Sequence, residues 1–103
     1  MNSVQRKKIF RTSNRDRNEH TITEILIRFQ VPYVLMPASA GFDILVMVNP
    51  PEFWEIKNPE YKWSLTEAEQ KLKSYCKRNG ITYRVIEYIE QAVQALNSGA
   101  ERK

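Results

Sequence analysis

Gly41-Phe42-Asp43-Ile44-Leu45-Val46, a break at Asn49-Pro50-Pro51-Glu52, and then Phe53-Trp54-Glu55-Ile56-Lys57 is the stretch that decides the fold. Both halves read as apolar strands that carry charge where a buried strand ordinarily has none. Side chains alternate faces in extended chain, so Glu55 and Lys57 share one face. Asp43, at the mouth of the first strand, joins them if the two strands pair as a hairpin. Asparagine and two prolines in the break supply turn chemistry. Parity then constrains the register: Asp43 shares the face of Glu55 and Lys57 only if paired residue numbers sum to an even number. The expected pairing sets Asp43 opposite Lys57 and Leu45 opposite Glu55, with Asn49-Pro50-Pro51 as the loop. Two acids and a lysine converging at a sheet edge can hold a divalent cation and a water beside a phosphate.

Working outward, residues 1–17 show no apolar periodicity and read as a flexible basic arm. From Asn18, an expected N-cap, Ile22, Ile25, Leu26 and Phe29 fall at helical spacing, and Pro32 stops continuation. Residues 33–36 read as a short strand, and Ala38-Ser39-Ala40-Gly41 as a small-residue loop that lets Asp43 reach the site. Residues 42–48 form an apolar run interrupted only by Asp43, expected to be buried on both faces. Thr66 with Glu69 three residues on has the capping-box spacing, which starts a second helix whose buried stripe is expected at Ala68, Leu72, Tyr75 and Cys76. Gly80 suits a left-handed helix end. Residues 81–86 read as a strand, and Ile89, Val93 and Leu96 mark a last helix closing near Gly99. A hairpin followed by a strand–helix–strand unit implies a mixed sheet with helices packed on it, an α/β sandwich. The folded domain is expected over residues 18–98, with 99–103 a short polar tail.

At 103 residues with 42% hydrophobic content, the chain supports one domain with a core of its own. Apolar runs are only strand-length, so no membrane span is expected, and the N-terminus lacks the apolar core of a secretion signal. Cys76 stands alone, which excludes an internal disulfide and suits a reducing cytoplasm. The net charge of +4 is unevenly placed. Arg6, Lys7, Lys8, Arg11, Arg15 and Arg17 meet only Asp16 in the first seventeen residues, and Lys71, Lys73, Lys77 and Arg78 form a second concentration. Both clusters suit a phosphate-bearing partner, although solvated tails and helix faces have the same composition.

The charged constellation fits phosphodiester hydrolysis. Magnesium prefers hard oxygens and keeps several waters, so Asp43, Glu55 and the backbone carbonyl of Ile56 suffice as protein ligands. Lys57 can position the attacking water or stabilise charge developing on the phosphate. The competing reading is an ordinary surface ion cluster. With one histidine, His20, and one cysteine, no zinc site of familiar ligands can be assembled, and Cys76 reads as buried filler. Trp54 alternates away from Glu55 into the core. Trp63, in the loop beside the site, either plugs the sheet end or stacks on an unpaired base.

The segments Gly-Phe-Asp-Ile-Leu-Val, Phe-Trp-Glu-Ile-Lys-Asn and Leu65-Thr66-Glu67-Ala68-Glu69-Gln70 together resemble the PD-(D/E)xK nuclease superfamily. Within it, the chain is most similar to the small virus-type replication-repair nuclease (VRR-NUC) domains and Holliday-junction-resolvase-like proteins, over roughly residues 15–96. Asp16-Arg17-Asn18 also resembles the start of such domains. The resemblance implies a restriction-endonuclease-like αβββαβ core and magnesium- or manganese-dependent cleavage of DNA, branched or junction DNA in particular. It further implies a role in replication, repair or recombination, a homodimer, and the cytoplasm of a bacterial or phage-infected host cell. Carried over by position, Asp43 and Glu55 are metal ligands, Lys57 is the catalytic lysine, and Gln70 matches a glutamine that supports the site. The arm arginines and lysines, with Lys71 and Lys73, would contact nucleic acid. Phe42 stands where many members have proline. The first helix often adds an acid; here Asn18 or Glu19 is the candidate, since Glu24 does not share the side of Asn18. The alternative is a nucleic-acid-binding subunit with the same fold and no activity.

Overall fold

The computed structural model describes residues 13–101, with side chains over 18–98. Arg6, Lys7, Lys8 and Arg11, and the end of the polar tail, lie outside the described residues, as do the side chains of Arg15 and Arg17. The elements are α1 (Ser13–Arg28), β1 (Tyr33–Leu35), β2 (Ile44–Val46), β3 (Glu52–Ile56), α2 (Glu67–Arg78), β4 (Thr82–Ile86) and α3 (Ile89–Glu101). This is the helix, three-strand, helix, strand, helix order expected from the sequence, in a mixed α/β architecture. The sheet order is β1-β2-β3-β4. The first three strands run antiparallel, and β4 joins β3 in parallel through the α2 crossover, as a parallel neighbour requires.

Alternation along β3 divides the molecule. Trp54 and Ile56 turn to one face and form the core with Ile22 and Leu26 of α1, Ile44 and Val46 of β2, Ile86 of β4, and Ala92, Ala95 and Leu96 of α3. Trp54 is fully buried there; truncating it to alanine would cost about 3–5 kcal/mol. Glu52 shares this face and is buried as well. Arg84 grips it through two nitrogens, at 2.7 and 3.3 Å, and the Trp54 indole donates to it at 2.9 Å. Phe53 and Glu55 turn to the other face, which α2 covers.

Several details differ from expectation. Helix α1 opens at Ser13, five residues before the expected cap, so residues 13–17 belong to it. Asn18 caps nothing; its amide donates to the carbonyl of Lys57 at 2.8 Å. The β2–β3 register keeps the even parity but is displaced by two: Ile44 faces Trp54, Leu45 faces Phe53 and Val46 faces Glu52. Glu52, drawn into the sheet by Arg84, starts β3 one residue before Phe53, and residues 47–51 form the loop. Pro50 and Pro51 have no N–H to extend the ladder. On α2 the inner stripe is buried Glu69 and Cys76 with half-buried Leu72; Ala68 and Tyr75 are exposed. Helix α3 runs to Glu101 and buries Ala92, Ala95 and Leu96, with Ile89 exposed.

Two glycines need their freedom. Gly80 follows α2 with φ 71°, the left-handed end its position implied. Gly41 (φ 86°) closes a 3₁₀ turn over Ala38–Ala40. A Cβ there would lie 3.3 Å from Leu72 Cδ2 and 3.4 Å from the Ala68 carbonyl oxygen, so the turn packs directly on α2 and delivers Asp43 beneath it.

Candidate active site

Three elements meet on the α2 face. Asp43, just ahead of β2, is pinned by its backbone: its N–H donates to the Trp54 carbonyl at 3.0 Å and its carbonyl accepts from Met36 at 2.8 Å. Its carboxylate accepts the Ile56 N–H at 2.7 Å. Asp43 therefore sits against Glu55 and Ile56 rather than opposite Lys57. Phe42, the preceding residue, stacks on Phe53 with ring centroids 4.3 Å apart.

Glu55 is 1% exposed. Burial, then the charges of Asp43 and Glu69, push its carboxyl up to about 8 against the pull of Lys57. Lys57 follows the last residue of β3, and its N–H donates to the Ile86 carbonyl at 3.0 Å. Its ammonium lies 3.3 Å from Glu55 and 3.1 Å from Glu69. It also lies 5.8 Å from the centroid of the Trp63 ring. The Trp63 indole N–H donates to Glu87 at 2.8 Å.

Glu69 is the residue that sequence reasoning assigned only to helix capping. The capping box does form, with both bonds between Thr66 and Glu69, and the same Oε1 that accepts the Thr66 N–H accepts Lys57. Burial raises the Glu69 carboxyl, but the bond from Thr66, then those with Glu55 and Lys57, outweigh it and hold the group below its ordinary value. Gln70, the expected supporting residue, is exposed and donates to the Leu65 carbonyl at 2.9 Å. One helical position is a 100° rotation, and the capping box fixes the phase so that Glu69 faces the sheet. The box spacing was the signal that could have found it.

Tyr83 was also unforeseen. Its hydroxyl donates to the Gly41 carbonyl at 2.9 Å. Burial and the nearby carboxylates of Glu55, Glu69 and Asp43 push its phenol well above the usual range.

The remaining candidates lie further out. Asn18 steadies the backbone of Lys57, and Glu19 is half-buried in α1. His20 is an exposed helix residue 3.3 Å from Glu24. Cys76 is buried and its thiol is raised by burial, as filler should be. Lys71 and Lys73 are exposed on α2, with Lys71 lying 3.6 Å from Glu67.

Among the described residues, no group of three or more His, Cys, Asp and Glu side chains is arranged to hold a metal ion, and no helix is long and apolar enough to cross a membrane. Of the three carboxylates here, Glu69 is taken up by its cap and by Lys57, which leaves Asp43, Glu55 and a carbonyl as the oxygen set to consider. In extended chain, a residue's N–H and C=O point to the same side, so the Ile56 carbonyl faces the Asp43 side as its N–H does. The raised Glu55 carboxyl, Asp43 beside it and the Ile56 carbonyl offer hard oxygens only, the ligand type that a small dication takes. No family model, curated protein or solved structure matches this chain.

Proposed function

We propose that this chain is a magnesium- or manganese-dependent DNA endonuclease of the PD-(D/E)xK type, its αβββαβ elements forming a restriction-endonuclease-like core. One observation carries the reading: Asp43, Glu55 and Lys57 converge at the open end of the β2–β3 hairpin, two buried acids beside a half-buried cation. A fold seeking only stability gains little from such burial, because desolvation offsets most of the attraction between the charges.

Asp43 and Glu55, with the Ile56 carbonyl, would hold the dication, which when bound supplies Lewis acidity toward the phosphate and a more acidic water. Asp43 is fixed by its Ile56 bond, so the carboxylate is oriented before any substrate arrives. Lys57, held between Glu55 and Glu69, presents its ammonium where it can orient the attacking water or stabilise charge on the phosphoryl oxygens. Residues Arg6 to Arg17 of the basic segment, with Lys71 and Lys73, would grip the DNA backbone, positioning it without reading sequence. Structure-specific cleavage in replication, repair or recombination, within the cytoplasm of a bacterial or phage-infected cell, is the setting this reading implies. Cutting two strands at one place requires two sites related by symmetry. The reading therefore extends to a homodimer, which sedimentation with and without a four-way junction tests; a monomer in both cases restricts the activity to flaps or nicks.

Conservative substitutions at the site provide the deciding experiment. Asp43→Asn and Glu55→Gln should abolish magnesium-supported cleavage and leave metal-free DNA binding intact or slightly stronger. Lys57→Ala should lose cleavage while still binding the ion, since the lysine acts on water and phosphate. If the parent cuts no DNA with either metal, and all three variants bind DNA as it does, the binding-subunit alternative replaces the nuclease.

A further inference from the structure

The parallel strands β3 and β4 end side by side, with Ile56 in register with Ile86. Ligand crevices in open α/β sheets lie outside the carboxyl ends of the strands, and here the chain leaving both strands walls a cleft of about 620 Å³. Asn58 and Glu60 line it from the β3 side; Glu87, Tyr88 and Glu90 line it from the β4 side. Asn18 and Thr21 of α1 complete the lining, and Asn18 donates to the carbonyl of Lys57, the residue that precedes Asn58, which ties the cleft wall to the candidate active site.

Trp63 stands at the border between the two. Its indole N–H is bound by Glu87 of the cleft wall, and its ring lies by the Lys57 ammonium. It is nevertheless 38% exposed, and Tyr88 is 52% exposed. A tryptophan used only to plug the sheet end would bury its ring; this one is fixed by its edge and leaves ring surface open. Three carboxylates that line the cleft, Glu60, Glu87 and Glu90, disfavour a phosphate inside it. They accept hydrogen bonds from amino and ring N–H groups, which a nucleobase carries on its edge. Aromatic rings bind bases by stacking without sequence preference.

We infer that Trp63 and the adjoining cleft hold one unpaired nucleobase beside the cleaved phosphodiester. The inference rests on the nuclease reading and narrows its substrate to DNA with an unstacked nucleotide at the cut. The phosphate goes to the Asp43–Glu55–Lys57 side and the base to the acidic side.

The test uses full-length protein in metal-free buffer with two duplexes carrying 2-aminopurine, one with it paired and one with it as a single-nucleotide bulge. The emission of this base falls when it stacks on an indole. The bulged duplex should bind about tenfold more tightly and be quenched. Trp63→Ala should remove preference and quenching while leaving affinity for the paired duplex unchanged; Trp63→Phe, which keeps a stacking ring, should retain most of the preference. Equal affinity for the two duplexes, or a preference surviving Trp63→Ala, overturns the inference. Adding magnesium separates the two ideas. Bulge preference with no cleavage keeps the base site and removes the nuclease, whereas cleavage of both duplexes alike does the reverse.

Discussion

At Glu55 the neighbours pull in opposite directions: burial, Asp43 and Glu69 favour the protonated carboxyl, Lys57 favours the charged one, and the balance lies at about 8. The unfolded chain releases that proton near 4.5. Between those values the folded state binds more protons than the unfolded one, so stability falls as pH rises, by up to about 1.4 kcal/mol per pH unit for one proton. Glu69 is shifted the other way, and its contribution is present above 4.5 and lost below it. With a chelator present, the melting temperature should therefore decline from about pH 5 toward pH 8, and Glu55→Gln should flatten the decline. A parent melting temperature that climbs steadily over that window would contradict the assignment. Asp43, Glu55 and Lys57 were legible in the sequence because strand alternation and parity are exact rules over a few residues. Glu69 was not, because its cap role already explained it, and the second bond depends on where a distant lysine ends.

Helix α2 links stability to the site through a single oxygen. Thr66 and Glu69 cap its first turn, and Glu69 Oε1 also receives Lys57. Thr66→Ala should remove about 1 kcal/mol, a fall of roughly 4–8 °C in the melting temperature of a domain this size. On the nuclease proposal it should also slow cleavage by loosening Lys57, whereas Thr66→Ser should restore both. If cleavage is unchanged in a destabilised Thr66→Ala, Glu69 is a cap and nothing more. The features of α2 that the sequence disclosed are local ones: the box, the glycine end, and Cys76 on the inner stripe. The β2–β3 register was legible only in its parity. Its two-residue offset follows Glu52 and Arg84, which meet across 32 positions of chain. The start of α1 was misread for a related reason: Asn18 looks like a cap in the sequence, yet its amide serves Lys57, 39 positions away.

Among the described residues, exposed cations lie along α2 and carboxylates around the cleft beyond β3 and β4, and the sequence carries a further run of cations ahead of Ser13. Because α1 begins at Ser13, removing residues 1–12 deletes Arg6, Lys7, Lys8 and Arg11 without cutting into a described element. If all four contact duplex phosphates, the slope of log affinity against log salt should become shallower by roughly 3–4; identical slopes would make the segment a passive tail. Strand β3, meanwhile, buries two glutamates three positions apart on opposite faces. Glu52 is held by the half-buried Arg84 and the Trp54 indole, so a replacement that cannot accept strands the buried indole N–H and takes Arg84's partner away. Glu55 faces Asp43 and Glu69, and its replacement by glutamine relieves a crowd of like charge. Mutational drift in a gene released from its task would then keep Glu52, since the fold enforces it, and shed Glu55 early. Glu52 is thus a residue the fold itself requires, whereas Glu55 is one that stability alone does not.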